Sequence, residues 1–353
     1  MPMKKLALTV LALTLGLALA QGVTLNGAGA TFPFPLYAKY FSVYHKLTGV
    51  RVNYQSIGSG GGIRQLFSGT VHFGASDAPL SDAKLAEFEQ KFGTQVIHVP
   101  TALGAVVPTY YLPGVTRPLN FSGPVLADIF LGKIRKWNDP ALAALNPGVK
   151  LPPLPITVVR RSDGSGTTYI WTEYLAKVSP EWKAKVGVGK SVAWPTGLGG
   201  KGNEGVAGLV RQTPGAIGYN ELIYAVQNKI AYGAVQNRAG KFVLADLASV
   251  RAAAELEDFP ADTRVSITDT PAPEGYPIAS FTWILVYRDL DKDRAVKSAA
   301  EAKALAALLD WIVHDGQRYN EALHYAALPE VAVRATEANL KRLRYRGEPV
   351  AAK

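Results

Sequence analysis

Three short segments carry the residue types that bind an oxyanion: Gly27-Ala28-Gly29-Ala30-Thr31-Phe32, Ile57-Gly58-Ser59-Gly60-Gly61-Gly62 and Asp163-Gly164-Ser165-Gly166-Thr167. Each sets Ser or Thr beside glycine just ahead of a helical pattern. Free N–H groups at a helix start, the positive end of its dipole and a hydroxyl donor together make an anion site, and glycine lets the backbone come close. Any one segment alone reads more simply as an N-cap with a tight turn. Three in one chain tilt the reading toward an anion site.

Two charged residues stand beside these loops, each at the end of a strand-like run. Arg161 can hold a tetrahedral anion by charge-assisted bonds, with Arg160 turned to the other face by strand alternation. A surface ion pair, with Asp163 as partner, is its competing role. Asp77 repels an anion unless that anion carries a proton. Phosphate carries one near neutral pH and can donate it to a carboxylate, whereas fully ionised sulfate has no donor and meets a like charge. A turn or helix cap before Pro79 explains Asp77 equally well.

Other chemistries fail on residue type or spacing. With no cysteine there is no thiolate zinc site, iron–sulfur cluster, cysteine nucleophile or lipid-modified cysteine. A serine-hydrolase elbow needs glycine two residues before its serine, where Ser59 has Ile57 and Ser165 has Asp163. Gly197 to Gly205 resembles a Walker loop, but Pro195 replaces its first glycine and Gly202 its hydroxyl residue, so a glycine-rich connection near the cleft is preferred. The five histidines lack metal-binding spacing and default to surface or packing roles, and no metal or cofactor is expected.

The elements that must position these loops alternate between strand and helix, the pattern of an α/β protein. Leu36, Tyr40, Phe41, Tyr44 and Leu47 lie at helical spacing between Pro33 and Gly49, and Val50, Val52 and Tyr54 alternate as a strand. Gly58 to Gly62 reads as a turn before a helix carrying Ile63, Leu66 and Phe67. A short strand over 71–75 precedes Asp77, and a helix over 81–92 is capped by Ser81 and stopped by Gly93. A β-rich run, 103–112, opens another lobe; strand 156–160 feeds the third glycine loop; strand 278–287 precedes helices broken at Gly316 and Pro329.

The chain has 353 residues, enough for two domains, and 38 Lys+Arg against 28 Asp+Glu give a net charge of +10. Lys4 and Lys5, the apolar run Leu6 to Leu19 and the small-x-small site Ala18-Leu19-Ala20 form a secretory leader, 1–20, cleaved near Ala20. Export and a basic charge favour an anionic partner. The charge is diffuse, and its densest run, Lys341 to Arg346, reads as a solvated face.

At this point the residues resemble a known family. Gly27 to Pro33, Gly74 to Leu80, Val158 to Thr167 and Gly199 to Asn203, with Leu131 to Ile134, Lys136-Trp137 and Pro214 to Tyr219 in the same order, resemble the PstS family of phosphate-binding proteins of ABC transporters. The resemblance implies a two-lobed periplasmic binding protein of type II with crossing hinge strands and a ligand cleft between lobes. It implies a first lobe of 22–102 plus 279–353 and a second of 103–278. By that resemblance phosphate is bound by Thr31 and Phe32, Ser59, Asp77, Arg161, Ser165, Gly166 and Thr167, with Asp163 orienting the arginine. It further implies a monomeric periplasmic protein, not an enzyme, that serves a membrane permease. An exported phosphomonoesterase using Ser59 or Ser165, or a polyanion binder, is the alternative. Residues 227–275 show no family pattern and carry no assigned site.

Overall fold

The structure, a computed structural model, describes residues 22–350; the expected leader lies outside the described residues. The strands are β1 (Thr24–Gly29), β2 (Arg51–Ser56), β3 (Phe73–Ser76), β4 (Val96–Tyr110), β5 (Asn120–Phe121), β6 (Thr157–Arg161), β7 (Leu198–Gly200) and β8 (Ala216–Glu221). They are followed by β9 (Ala231–Tyr232), β10 (Ala234–Gln236), β11 (Phe242–Val243) and β12 (Ala279–Tyr287). The main sheet runs β2-β1-β3-β12-β4-β8-β6-β7, and β5, β10 and β11 form a small second sheet.

One strand joins the two halves. All fifteen residues of β4 are buried, as are all nine of β12, the burial expected of strands covered on both faces. β4 pairs with β12 up to Ala105 and with β8 from Val106 onward, so its partner changes between two adjacent residues. The Val106 N–H donates to Ile278 O at 2.8 Å, which ties the returning chain to the same point. The result is an α/β molecule of two lobes hinged on crossing strands, as expected.

Local sequence accounts for most elements. The helix Asp82–Phe92 starts with the Ser81 hydroxyl accepting from Lys84 N–H and ends at Gly93 in the left-handed region, as its spacing predicts. The helix Phe34–Thr48 has Pro35 in its first turn and ends at Gly49. Two readings need revision. The glycine run is not a turn: Gly58, at φ 88, makes the turn alone and the helix Ser59–Phe67 begins at once. The strand expected from Leu103 starts at Val96, and Pro100 is tolerated because Thr101 is an extra residue between the pairs Trp283–Pro100 and Thr282–Ala102.

Candidate functional site

Parallel strands present their carboxyl ends to one crevice, and every expected site residue lies there. Thr31 and Phe32 follow β1, Ser59 follows β2, Asp77 follows β3, Arg161 ends β6, and Ser165 to Thr167 start the helix Gly166–Val178. Ligands of open α/β sheets bind in this position because loops and helix N-termini gather there. All of these side chains are buried: Thr31 is 2 % exposed, Ser59 0 %, Asp77 1 % and Arg161 3 %.

Asp77 and Ser59 are fixed together. The Ser59 hydroxyl accepts from Asp77 N–H at 3.2 Å, and Thr282 Oγ1 donates to Asp77 Oδ1 at 2.7 Å. Asp77 Oδ2 is buried without a hydrogen-bond partner among the described residues. Burial pushes this carboxyl up to about 7, even though Thr282, the Arg161 charge and Ser59 all pull it down. Such an oxygen calls for a donor, since an unpaired buried carboxylate is costly.

Arg161 is held from one side. Its Nε and Nη2 donate to Oδ1 and Oδ2 of Asp163 at 2.7 and 2.6 Å, a bidentate pair whose side chains are 1 % and 14 % exposed. The competing role, an ion pair with Asp163, is therefore real, but the pair is buried and spends only one edge of the guanidinium. Nη1 is buried with no partner among the described residues. Burial alone raises the Asp163 carboxyl, but the bonds and charge of Arg161 outweigh it and hold the group below its ordinary range. Gly202 N–H adds a bond to Asp163 Oδ1 at 3.1 Å.

The two walls of the crevice touch through glycine. Gly60 N–H donates to Gly164 O at 3.0 Å, and a Cβ built on Gly60 would lie 3.1 Å from Gly164 Cα. A Cβ on Gly166 would lie 2.4 Å from both Asp77 Oδ2 and Ser59 Oγ. The start of the Gly166–Val178 helix therefore faces the carboxylate across a gap that admits no side chain. Its first N–H groups, unpaired within the helix, point at the same place.

Several residues at the site escaped the sequence reading. Asn203 Nδ2 donates to Thr31 Oγ1 at 2.8 Å and to Thr167 Oγ1 at 2.9 Å, and its N–H also reaches Thr31 Oγ1. It thus links the loop after β1 to the loop after β6, and its place at the end of the Gly199–Asn203 motif was the available signal. Tyr219 OH accepts from Arg161 N–H at 3.0 Å and bonds Thr168 Oγ1 at 2.6 Å. Tyr224 and Tyr325 donate to the carbonyls of Thr31 and Phe32 at 2.5 Å each. His98 plays a packing part: burial first, then the Arg264 charge, lower it to about 3, so it stays neutral and accepts from Leu80 N–H at 3.1 Å.

Among the described residues no cluster of His, Asp and Glu could hold a metal ion, and no helix is long and apolar enough to cross a membrane. The chain matches the PBP superfamily domain over residues 18–315. It is 45% identical over 324 residues to the phosphate-binding protein PstS of Pasteurella multocida, covering 91% of each chain. The chain belongs to the PstS family.

A second PstS, from Haemophilus influenzae, is 45% identical over 334 residues, covering 93% of this chain and 96% of its own. Among solved structures, a high affinity periplasmic phosphate-binding protein bound with phosphate has the same fold, with a TM-score of 0.73 at 22% identity over 90% of this chain and 93% of its own. A phosphate-binding protein from Stenotrophomonas maltophilia superposes with a TM-score of 0.70 at 18% identity over 90% of this chain and 94% of its own. Membership of the PstS family accounts for the motif order that the sequence displays and for the two-lobed fold.

Proposed function

We propose that this protein is an exported solute-binding protein that captures inorganic phosphate in the cleft and delivers it to the permease of an ABC transporter. One observation carries the reading: a buried acceptor, Asp77 Oδ2, and a buried donor, Arg161 Nη1, both lack partners among the described residues in a crevice lined by helix N-termini. A protonated phosphate offers both a donor and acceptors, so it satisfies the two groups at once.

In this reading the anion takes N–H groups from Thr31, Phe32, Gly166 and Thr167, hydroxyls from Thr31, Ser59 and Ser165, and the free edge of Arg161, with Asp163 holding that arginine in place. Asp77 accepts the phosphate proton. The lobes comprise 22–102 with 279–353, and 103–278; the change of β4 partners after Ala105 and the bond from Val106 to Ile278 support a crossover in this region. Closure replaces the water shell of the anion with fixed donors, and the closed form is the one presented to the permease. Both candidate nucleophiles accept backbone N–H bonds, Ser59 from Asp77 and Ser165 from Thr168, which supports capture without turnover. The mature protein works as a monomer in the periplasm, without cofactor, after cleavage near Ala20.

Isothermal titration of phosphate-stripped mature protein, first with phosphate and then with sulfate, tests the proposal. Tight one-to-one phosphate binding with little or no sulfate binding is expected. A folded protein that binds no phosphate would overturn it and bring the esterase and polyanion readings forward.

A further inference from the structure

A cavity of about 520 Å³ opens beside the crevice and reaches Asp77. Its walls come from both lobes: the loop after β3 and the start of the Asp82–Phe92 helix on one side, the Gly166–Val178 helix and the residues around Gly189 on the other. Three cations line it, Lys84, Lys190 and Arg264. Arg264 is engaged by Asp82 and Asp262, and Lys84 pairs with Glu87 at 2.6 Å. Glu173, on the same wall, accepts from Ser266 and Thr268 and lies 4.0 Å from Lys177. Among the described residues Lys190 alone of the three cations has no carboxylate within ion-pairing distance.

The position of Lys190 is set by the anion-binding helix itself. Its carbonyl accepts Ser165 N–H at 2.9 Å, and the neighbouring Gly189 N–H donates to Thr172 Oγ1 at 3.2 Å. The lysine is thus anchored to the helix whose N-terminus faces Asp77, with its side chain on the wall of the cavity. Burial, and then the Lys84 charge, lower its pKa from the ordinary lysine value. Low-dielectric walls around an uncompensated cation focus its field along the opening, where a diffusing anion feels it most.

We propose that Lys190 draws phosphate into the cleft through this cavity, speeding capture without touching the bound anion. The inference rests on the phosphate-capture reading and adds a route and a rate-determining charge to it. A role of this kind acts on association and is screened by salt, whereas a ligand contact acts on dissociation.

Stopped-flow binding of inorganic phosphate to the mature protein and to Lys190→Gln, at low and high ionic strength, tests it. The association rate of the variant is expected to fall roughly fivefold at low salt, with a flatter salt dependence and an unchanged dissociation rate. Lys190→Arg should restore the rate. Lys84→Gln, which removes a lysine already paired with Glu87, should have the smaller effect. An unchanged association rate in Lys190→Gln, a loss carried by dissociation, or an equal effect from Lys84→Gln would overturn the role of Lys190. Calorimetry on the unmodified protein separates the two levels: if it binds no phosphate the capture reading fails, and if it binds while the Lys190→Gln rate is unchanged only the port fails.

Discussion

Thr282 and Asp77 face each other across the β3–β12 ladder, one position beyond the registered pair Ser76–Trp283, and Thr282 Oγ1 donates to Asp77 Oδ1 at 2.7 Å. The extra residue Thr101 falls in β4 opposite the Thr282–Trp283 step, so the bulge lies beside the residue that orients the carboxylate. One oxygen is thereby anchored and the other left to the crevice.

Replacing Asp77 by Asn should weaken discrimination against sulfate. The amide keeps the shape of the side chain but removes the like charge that a fully ionised anion must meet, and it supplies a donor. Competition calorimetry with both anions reads the ratio of affinities; an unchanged ratio would rule out this role for Asp77.

The raised pKa of Asp77 makes a stability prediction whose sign is opposite to that of a salt-bridged carboxylate. With the folded group at about 7 against an ordinary value of 3.8, the folded protein holds a proton that the unfolded chain releases between those values. Stability from this group therefore falls as pH rises through that window and is constant above it, a total on the order of a few kcal/mol. Asp293, also raised by burial to about 7, titrates in the same range, so the comparison must be with Asp77→Asn. Melting curves of phosphate-free protein and variant from pH 4 to pH 8 should diverge in favour of the variant; parallel curves would contradict the assignment.

Arg161→Ala should cost several kcal/mol of phosphate affinity, on the order of 3–5, because it removes a buried charge-assisted donor and strands Asp163 as well. Arg161→Lys should recover little, since an ammonium cannot bond Asp163 by two parallel bonds and still offer a third donor to the ligand. Near-native affinity of either variant in calorimetry would remove the arginine from the site.

Gly166→Ala separates folding from closure. The added Cβ would meet Asp77 Oδ2 and Ser59 Oγ at 2.4 Å, atoms of the opposite wall, while alanine suits the first turn of a helix. The expected result is a normal melting temperature without ligand, loss of tight phosphate binding, and small-angle scattering that stays expanded when phosphate is added. Retained binding with normal compaction would show that the walls do not close at this point.

Asn203→Ala should weaken phosphate binding by about 1–3 kcal/mol, since Thr31 Oγ1 and Thr167 Oγ1 both lose the amide that joins them. Titration calorimetry measures it directly, and an Asn203→Asp variant, which cannot donate to either hydroxyl from its side chain, should be at least as weak.

The sequence by itself determined the local devices. Ser81, Gly93, Pro35 and Gly49 mark helix ends through their own capping chemistry, and the glycine–hydroxyl loops announce anion binding because helix N-termini need such residues to receive a ligand. The order of the motifs also sufficed to bring out the family. What it left undecided was whatever depends on chain segments far apart. Asp77 is equally good as a turn residue until Thr282, more than two hundred positions away, takes one oxygen and burial isolates the other. Thr282 was invisible because all of β12 is buried, so no alternation of polar and apolar residues marks it. Lys190 sits in a loop and Asn203 in the first turn of the helix Gly202–Gln212, and only the approach of the two walls gives Asn203 its hydroxyl partners and Lys190 its place on the cavity wall. Capping and glycine conformation are properties of a few adjacent residues, whereas desolvation and partner geometry exist only once the two lobes are folded against each other.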